Sequence, residues 1–252
     1  MNALIFAAGL GTRLKPLTDT MPKALVPVLG KPLLQHVLDN LAASGFQEIV
    51  INVHHFAQQI IDYINAHPIE NISIKISDER KLLLDTGGGI RQAATYFSNI
   101  NPFLVHNVDI MSNLDLKEFY RRNTVHANRA ATLLVSKRNT SRYLLFNSED
   151  NRLVGWTNIE TGEIKSPYTN LNVNTCKAYA FAGIHLINPS VILPLMEDWN
   201  ERFSIIDFYL SVCDKVPIIA DVKDDLQLID VGKIDSLAKA ELYVQNEQNK
   251  SE

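Results

Sequence analysis

Apolar and polar residues alternate along this chain with two different periods. Residues 3–8 form an unbroken apolar run ending at Gly9, which predicts a short strand buried on both faces. Across residues 32–44 apolar side chains recur at Leu33, Leu34, Val37, Leu38, Leu41 and Ala42, the spacing of an amphipathic helix, and Gly45 supplies its stop. Residues 48–53 predict a second strand, 58–64 a helix and 72–76 a third strand. The rhythm continues with a helix over 89–97, a strand over 103–108, a helix over 114–122 and a strand over 130–135. Such an order implies a mostly parallel sheet with helices on both faces, an α/β fold.

Beyond residue 135 the rhythm changes. Short segments separated by Glu149-Asp150-Asn151 and Thr161-Gly162-Glu163 predict a hairpin-rich insertion over 143–168. A buried strand follows at 178–187, Asn188-Pro189 opens a helix to about Met196, and 205–212 reads as another helix. A late strand is predicted at 226–231 and a closing helix at 236–244, with a polar tail over 245–252 that should fray. No Gly/Ser- or Pro-rich linker divides the chain and no period repeats. The expectation is one domain over 1–244, made of parts 1–135, 136–225 and 226–244.

Composition narrows the classes. With 46% hydrophobic and 21% charged residues the chain has the make-up of a globular protein, not a disordered one. A net charge of -4, spread along the sequence, gives no footprint for nucleic acid or an anionic membrane, so any phosphate site must be local. Two cysteines, Cys176 and Cys213, are too few for a disulfide framework or a Cys-rich metal site, and free thiols are expected. The first residues lack a basic segment, and no stretch approaches the roughly 18–20 apolar residues of a membrane span. A cytoplasmic location is the expectation.

The first strand runs into Ala7-Ala8-Gly9-Leu10-Gly11-Thr12-Arg13. Two glycines let successive N–H groups converge on an anion, and Arg13 adds a planar cationic fork. A dinucleotide loop needs glycine where Leu14 stands, and a P-loop needs Gly-Lys-Ser/Thr, which is absent. On Gly-x-Gly alone a tight turn without ligand stays open. Asp85-Thr86-Gly87-Gly88-Gly89 sets three glycines ahead of a predicted helix, where backbone N–H groups can meet a base, a ribose or a phosphate. Two strands end in Asp109 and Asp230, which suits both carboxylates to one Mg²⁺ beyond the sheet's carboxyl edge, although an Asp at a strand end also serves as a cap. The histidines, His54-His55 included, show no metal-ligand spacing.

The run Gly9-x-Gly11-Thr12-Arg13-Leu14-x-Pro16-Leu17-Thr18, followed by Pro22-Lys23, resembles the sugar nucleotidyltransferases, the nucleoside-diphosphate-sugar pyrophosphorylases. The resemblance is strong over 1–110, fair around 178–187 and 226–243, and poor over 140–175. It implies a three-layer α/β/α Rossmann-like, GT-A-like domain with a mixed, mostly parallel sheet and a small β-rich lobe on the sugar side. It implies that Ala8, Gly9, Gly11, Thr12 and Arg13 wrap a triphosphate and that Lys23 neutralises its α-phosphate. Gly87 and Gly88 would line the nucleoside pocket, and Glu79 lies where a polar side chain often reads the base. Asn107-x-Asp109 and Asp230-Val231-Gly232 match the two metal motifs, with Val108 where a small residue is usual. Gly183 would back the sugar, Asn107 would contact it, and Lys165 is the candidate for its phosphate, without the usual Glu-Lys-Pro context.

The implied reaction is in-line attack of a sugar-1-phosphate on the α-phosphorus of a nucleoside triphosphate, UTP favoured and GTP possible, with Mg²⁺ as cofactor. The attacking phosphate is already an anion, so positioning and charge neutralisation by Arg13, Lys23 and Asp109 suffice and no nucleophilic triad is needed. A GTP-dependent mannose- or heptose-1-phosphate guanylyltransferase, a catalytically silent nucleotide or sugar-nucleotide sensor and an alcohol-phosphate cytidylyltransferase are the competing expectations.

Overall fold

The computed structural model describes residues 1–99 and 101–251, with side chains up to 249 apart from that of 100. The chain divides into two compact units, one of Met1–Leu83, His106–Lys117 and the residues from Gln227 onward, the other of Leu84–Val105 and Glu118–Leu226.

In the first unit the strands Asn2–Phe6, Glu48–Val53 and Ser73–Asp78 pair in parallel in that order, with Leu4 opposite Val50 and Val50 opposite Lys75. The helices Leu33–Ala43 and Ala57–Ala66 connect them. Leu33, Leu34, Val37, Leu38 and Leu41 are buried, so the apolar stripe read from the sequence is the packed face. The strand expected over residues 3–8 starts one residue earlier and stops at Phe6, leaving Ala7 and Ala8 buried in the loop that follows.

A second, antiparallel ladder joins Ile110–Ser112 to Leu228–Asp230. The late strand expected at 226–231 is therefore shorter and belongs to this two-stranded ladder rather than to the parallel sheet. The closing helix runs Ile234–Ser251, not 236–244, and takes in residues 245–251 of the tail expected to fray. It is anchored through Ala240 and Val244, which join Leu14, Val26, Val28, Leu33, Met111 and Val231 in one apolar cluster.

The second unit contains the expected hairpins as an antiparallel meander of Arg142–Phe146, Leu153–Asn158 and Glu163–Lys165. The long strand Lys177–Ile187 pairs antiparallel with Arg142–Phe146 and with Ala131–Ser136. Its register breaks between Phe181 and His185, where Gly183 takes a φ of 74° at a bulge. A strand not foreseen, Ile218–Val222, pairs in parallel with Ala131–Ser136. The fold is thus α/β with mixed strand pairing. No helix of the described residues is long and apolar enough to cross a membrane. Both cysteines are free thiols, and burial pushes the Cys213 thiol up to about 11.

The glycine run departs from expectation. It lies inside the helix Asp85–Ala94, not ahead of a helix starting at 89. The Gly87 N–H donates to the Phe203 carbonyl at 2.8 Å, and a methyl built on Gly88 would stand 2.1 Å from the Glu201 carbonyl oxygen. Backbone from 201–203 lies directly on the glycines, which helix periodicity cannot reveal. Arg91 ties the arrangement down by donating to the carbonyls of Met196, Trp199 and Asn200.

Because the obstruction at Gly88 is backbone, Gly88→Ala should cost about 1–3 kcal/mol, measured as a clear fall in the thermal midpoint; an unchanged midpoint would contradict the packing described. Burial also sets a pH response. His185, fully enclosed and sharing a 2.9 Å hydrogen bond with the Tyr209 hydroxyl, is lowered by desolvation to about 3. The neutral ring is the folded form, so unfolded chains take up a proton below the ordinary value of 6.5 while folded chains do not. Stability should be level above pH 6.5 and decline as pH falls toward 4, with a shallower decline in His185→Gln. Urea midpoints flat across that window in the parent protein would rule this out.

Candidate active site

The loop after Phe6 is shaped by Gly11. Its φ of 65° lies in the left-handed region, and its carbonyl accepts from the Leu14 N–H at 2.9 Å and the Thr18 hydroxyl at 2.8 Å. A side chain there would also meet Thr18 Cγ2 at 2.9 Å and Lys23 Cβ at 3.1 Å. Gly11 is therefore needed twice, for its conformation and for the close approach of the Lys23 stem. Gly9 is exposed and a methyl built on it would meet nothing within 4 Å, Thr12 and Arg13 are exposed in the short 3₁₀ turn Thr12–Leu14, and Leu14 is fully buried beneath them.

Asp109 and Asp230 meet through the antiparallel ladder. Asp230 is the register partner of Ile110, and the Val231 N–H donates to the Asp109 carbonyl at 2.8 Å. The far end is closed by Asn113 and Gln227, which exchange hydrogen bonds at 2.9 and 3.2 Å. Val108 N–H donates to the Phe6 carbonyl at 3.1 Å, so Asp109 emerges beside the root of the glycine loop.

Lys23 forms an ion pair with Asp109, their side chains only 12% and 16% exposed. At Gly232 an added methyl would come within 2.6 Å of Asp230 Oδ1 and 2.8 Å of Arg13 Nη2, so the α-carbon of Gly232 packs against both. Gly11, Arg13, Lys23, Asp109, Asp230 and Gly232 are thus brought together in the first unit. Nearby, His106 is buried and lowered to about 4 by desolvation, which keeps it neutral and leaves Arg13 and Lys23 as the site's cations. Asn107 ends its strand half-buried, its carbonyl 2.8 Å from His106 Nδ1.

The remaining residues singled out by sequence have other surroundings. Glu79 is buried; its carboxylate accepts from Asn52 Nδ2 at 2.8 Å and its carbonyl lies 2.7 Å from His54 Nδ1. Gly87, Gly88, Lys165 and Gly183 belong to the second unit. There Lys165 is exposed, 3.2 Å from Asp207 Oδ1 and 5.3 Å from the centre of the Trp156 ring. Sequence reasoning missed Asn52, whose side chain bonds the loop's first residue. Its signal was an amide inside the apolar run Ile49-Val50-Ile51-Asn52-Val53, since a buried amide needs partners.

A glycine-shaped turn, two cations and two aspartates on neighbouring strand ends of an α/β scaffold suit a protein that handles phosphate groups. The comparisons agree with that class. The family model described as Nucleotidyl transferase matches residues 2–247, and the chain belongs to that family. N-acetylmuramate alpha-1-phosphate uridylyltransferase of Caulobacter vibrioides is 45% identical over 109 residues, 42% of this chain and 45% of the relative. The protein of that name from Neisseria meningitidis serogroup B is 44% identical over 46% of this chain and 49% of its own. The matches thus span about half the length of these curated relatives. In fold, HddC from Yersinia pseudotuberculosis, solved in complex with GMP-PN, superposes with a TM-score of 0.72 over 96% of this chain and 99% of that one, at 23% identity.

Proposed function

We propose that the chain transfers a nucleoside monophosphate from a nucleoside triphosphate to a sugar-1-phosphate, with UTP and N-acetylmuramate 1-phosphate or a related hexose 1-phosphate as the favoured pair. The observation that carries this reading is the convergence of Arg13, Lys23, Asp109 and Asp230 at a glycine-shaped loop. The names of the uridylyltransferase relatives support the choice of nucleotide and sugar.

The donor set fits Mg²⁺. Among the described residues no cluster of three or more His, Cys, Asp or Glu is disposed to hold a metal. Two carboxylates alone match an ion that completes its shell with water and substrate phosphates. Asp109 and Asp230 would hold it, and when bound it supplies Lewis-acid polarisation and a template for the phosphates.

The chain's own residues do the rest. Backbone N–H groups of residues 8–12 face the triphosphate, and Arg13 offers its fork to the same oxygens. Lys23, with its stem against Gly11, neutralises charge at the α-phosphate as the sugar phosphate oxygen bonds to phosphorus and the bond to the departing pyrophosphate breaks. No side chain has to remove a proton, because the attacking group is already an anion. Lys23 is paired with the Asp109 carboxylate, which compensates both charges.

The direct test is pyrophosphate release with Mg²⁺ across a panel of UTP, GTP, CTP and dTTP, each with several sugar-1-phosphates and phosphocholine. Turnover with UTP and a hexose 1-phosphate is expected; nucleotide binding with no turnover over the panel would make the protein a sensor. Asp109→Asn should lower kcat by about three orders of magnitude or more, while Lys165→Ala should change it much less, since Lys165 is exposed beside Asp207. Gly232→Ala should leave the thermal midpoint near that of the parent, because flexible side-chain ends can move aside, yet reduce activity by at least about tenfold through displaced Asp230 and Arg13. A fully active Gly232→Ala protein would remove Asp230 and Arg13 from the mechanism.

A further inference from the structure

The strand Asn2–Phe6 follows its neighbour Glu48–Val53 residue for residue until Phe6 stands opposite Asn52. There a side chain takes over from the backbone ladder. Asn52 Oδ1 accepts the Ala7 N–H at 2.7 Å, and Asn52 Nδ2 donates to Glu79 Oε1 at 2.8 Å. Asn52 and Glu79 are 1% and 2% exposed. Glu79 is itself held at both backbone ends, its N–H donating to the Val53 carbonyl at 2.8 Å and its carbonyl 2.7 Å from His54 Nδ1.

This chain of bonds has a direction. A carboxylate only accepts, so it fixes which end of the Asn52 amide faces it; the oxygen is then left for the Ala7 N–H. The point at which the chain leaves the sheet for the glycine loop is thereby set from two strands away. Replacing the amide by an apolar side chain would strand a buried N–H, and replacing it by a carboxylate would set two acids against each other.

We propose that Asn52 is the positioning residue of the phosphate loop and that Glu79 acts on the nucleotide through Asn52, as the group that orients its amide. The proposal rests on the reading that this loop holds the nucleotide's phosphates. Neither residue needs to touch the reacting atoms. Their effect falls on the angle at which Ala8, Gly9 and Gly11 present their N–H groups, and so on nucleotide binding more than on sugar-phosphate binding.

The polarity of the pair allows a swap. In Asn52→Asp the donor to Glu79 is lost and two carboxylates face each other. In the double variant Asn52→Asp/Glu79→Gln the glutamine amide donates to the new aspartate, which again accepts from Ala7. Two readouts are taken on the full chain, amide hydrogen exchange at Ala7 and the KM values for nucleoside triphosphate and sugar-1-phosphate. Asn52→Asp should speed exchange at Ala7 and raise KM for the nucleotide about tenfold, the scale of one buried hydrogen bond, with KM for the sugar phosphate little changed. The double variant should recover most of both losses.

A double variant no better than Asn52→Asp, or Asn52→Asp with unaltered exchange and nucleotide KM, would overturn the proposal. Recovery of thermal stability without recovery of the nucleotide KM would reduce Asn52 to a structural residue and overturn it as well. If Asn52→Asp does not fold, Asn52→Ala replaces it, and unchanged exchange at Ala7 is then the overturning result. The exchange readout needs no substrate, so a parent protein that binds no nucleotide would defeat the functional reading while leaving the Asn52 link to be judged separately.

Discussion

The charged groups of the site are held together by the apolar residues beside them. Leu14 follows Arg13, Val26 lies one turn beyond Lys23, Met111 is two residues past Asp109, and Val231 follows Asp230; all four are buried in one cluster with Val28, Leu33, Ala240 and Val244. Four segments remote in sequence are joined by burial of about 1.5–3 kcal/mol for each large apolar side chain. The ion pair adds little net to this, because taking both charges out of water offsets most of their attraction. Hydrophobic contact therefore decides where the ions sit, and the ions then decide what the place can do.

The ionic arrangement has its own logic. Lys23 and Asp109 are largely withdrawn from water, where either charge alone would carry a desolvation cost, so each requires the other until a further ion or phosphate arrives. Lys23 and Asp109 make a neutral pair that can exchange partners without adding net charge. That property fits transfer between phosphates, in which anionic substrates and a divalent cation enter together and charge is redistributed with no protein group gaining or losing a proton.

Burial elsewhere sharpens the same scaffold. The enclosed amide of Asn52 sets the exit of the glycine loop, and the helix Asp85–Ala94 accepts backbone at Gly88 so closely that any side chain would displace it. In both places a polar or small residue interrupts an apolar pattern. The interruption marks a spot where two segments of main chain are joined or pressed together.

Sequence alone determined the local elements. The stripe of Leu33, Leu34, Val37, Leu38 and Leu41, the strand Glu48–Val53 and the glycine loop with Arg13 could be read because each rests on neighbours a few residues away. The hairpins over 142–165 were readable for the same reason, since turn residues announce them. Tertiary structure decided what depends on distant partners: the placing of Leu228–Asp230 against Ile110–Ser112, the strand Ile218–Val222, the entry of the glycine run into a helix, and the extension of the last helix to Ser251. Periodicity records which face of a segment avoids water. It does not record which other segment covers that face, and that choice is made only when the whole chain packs.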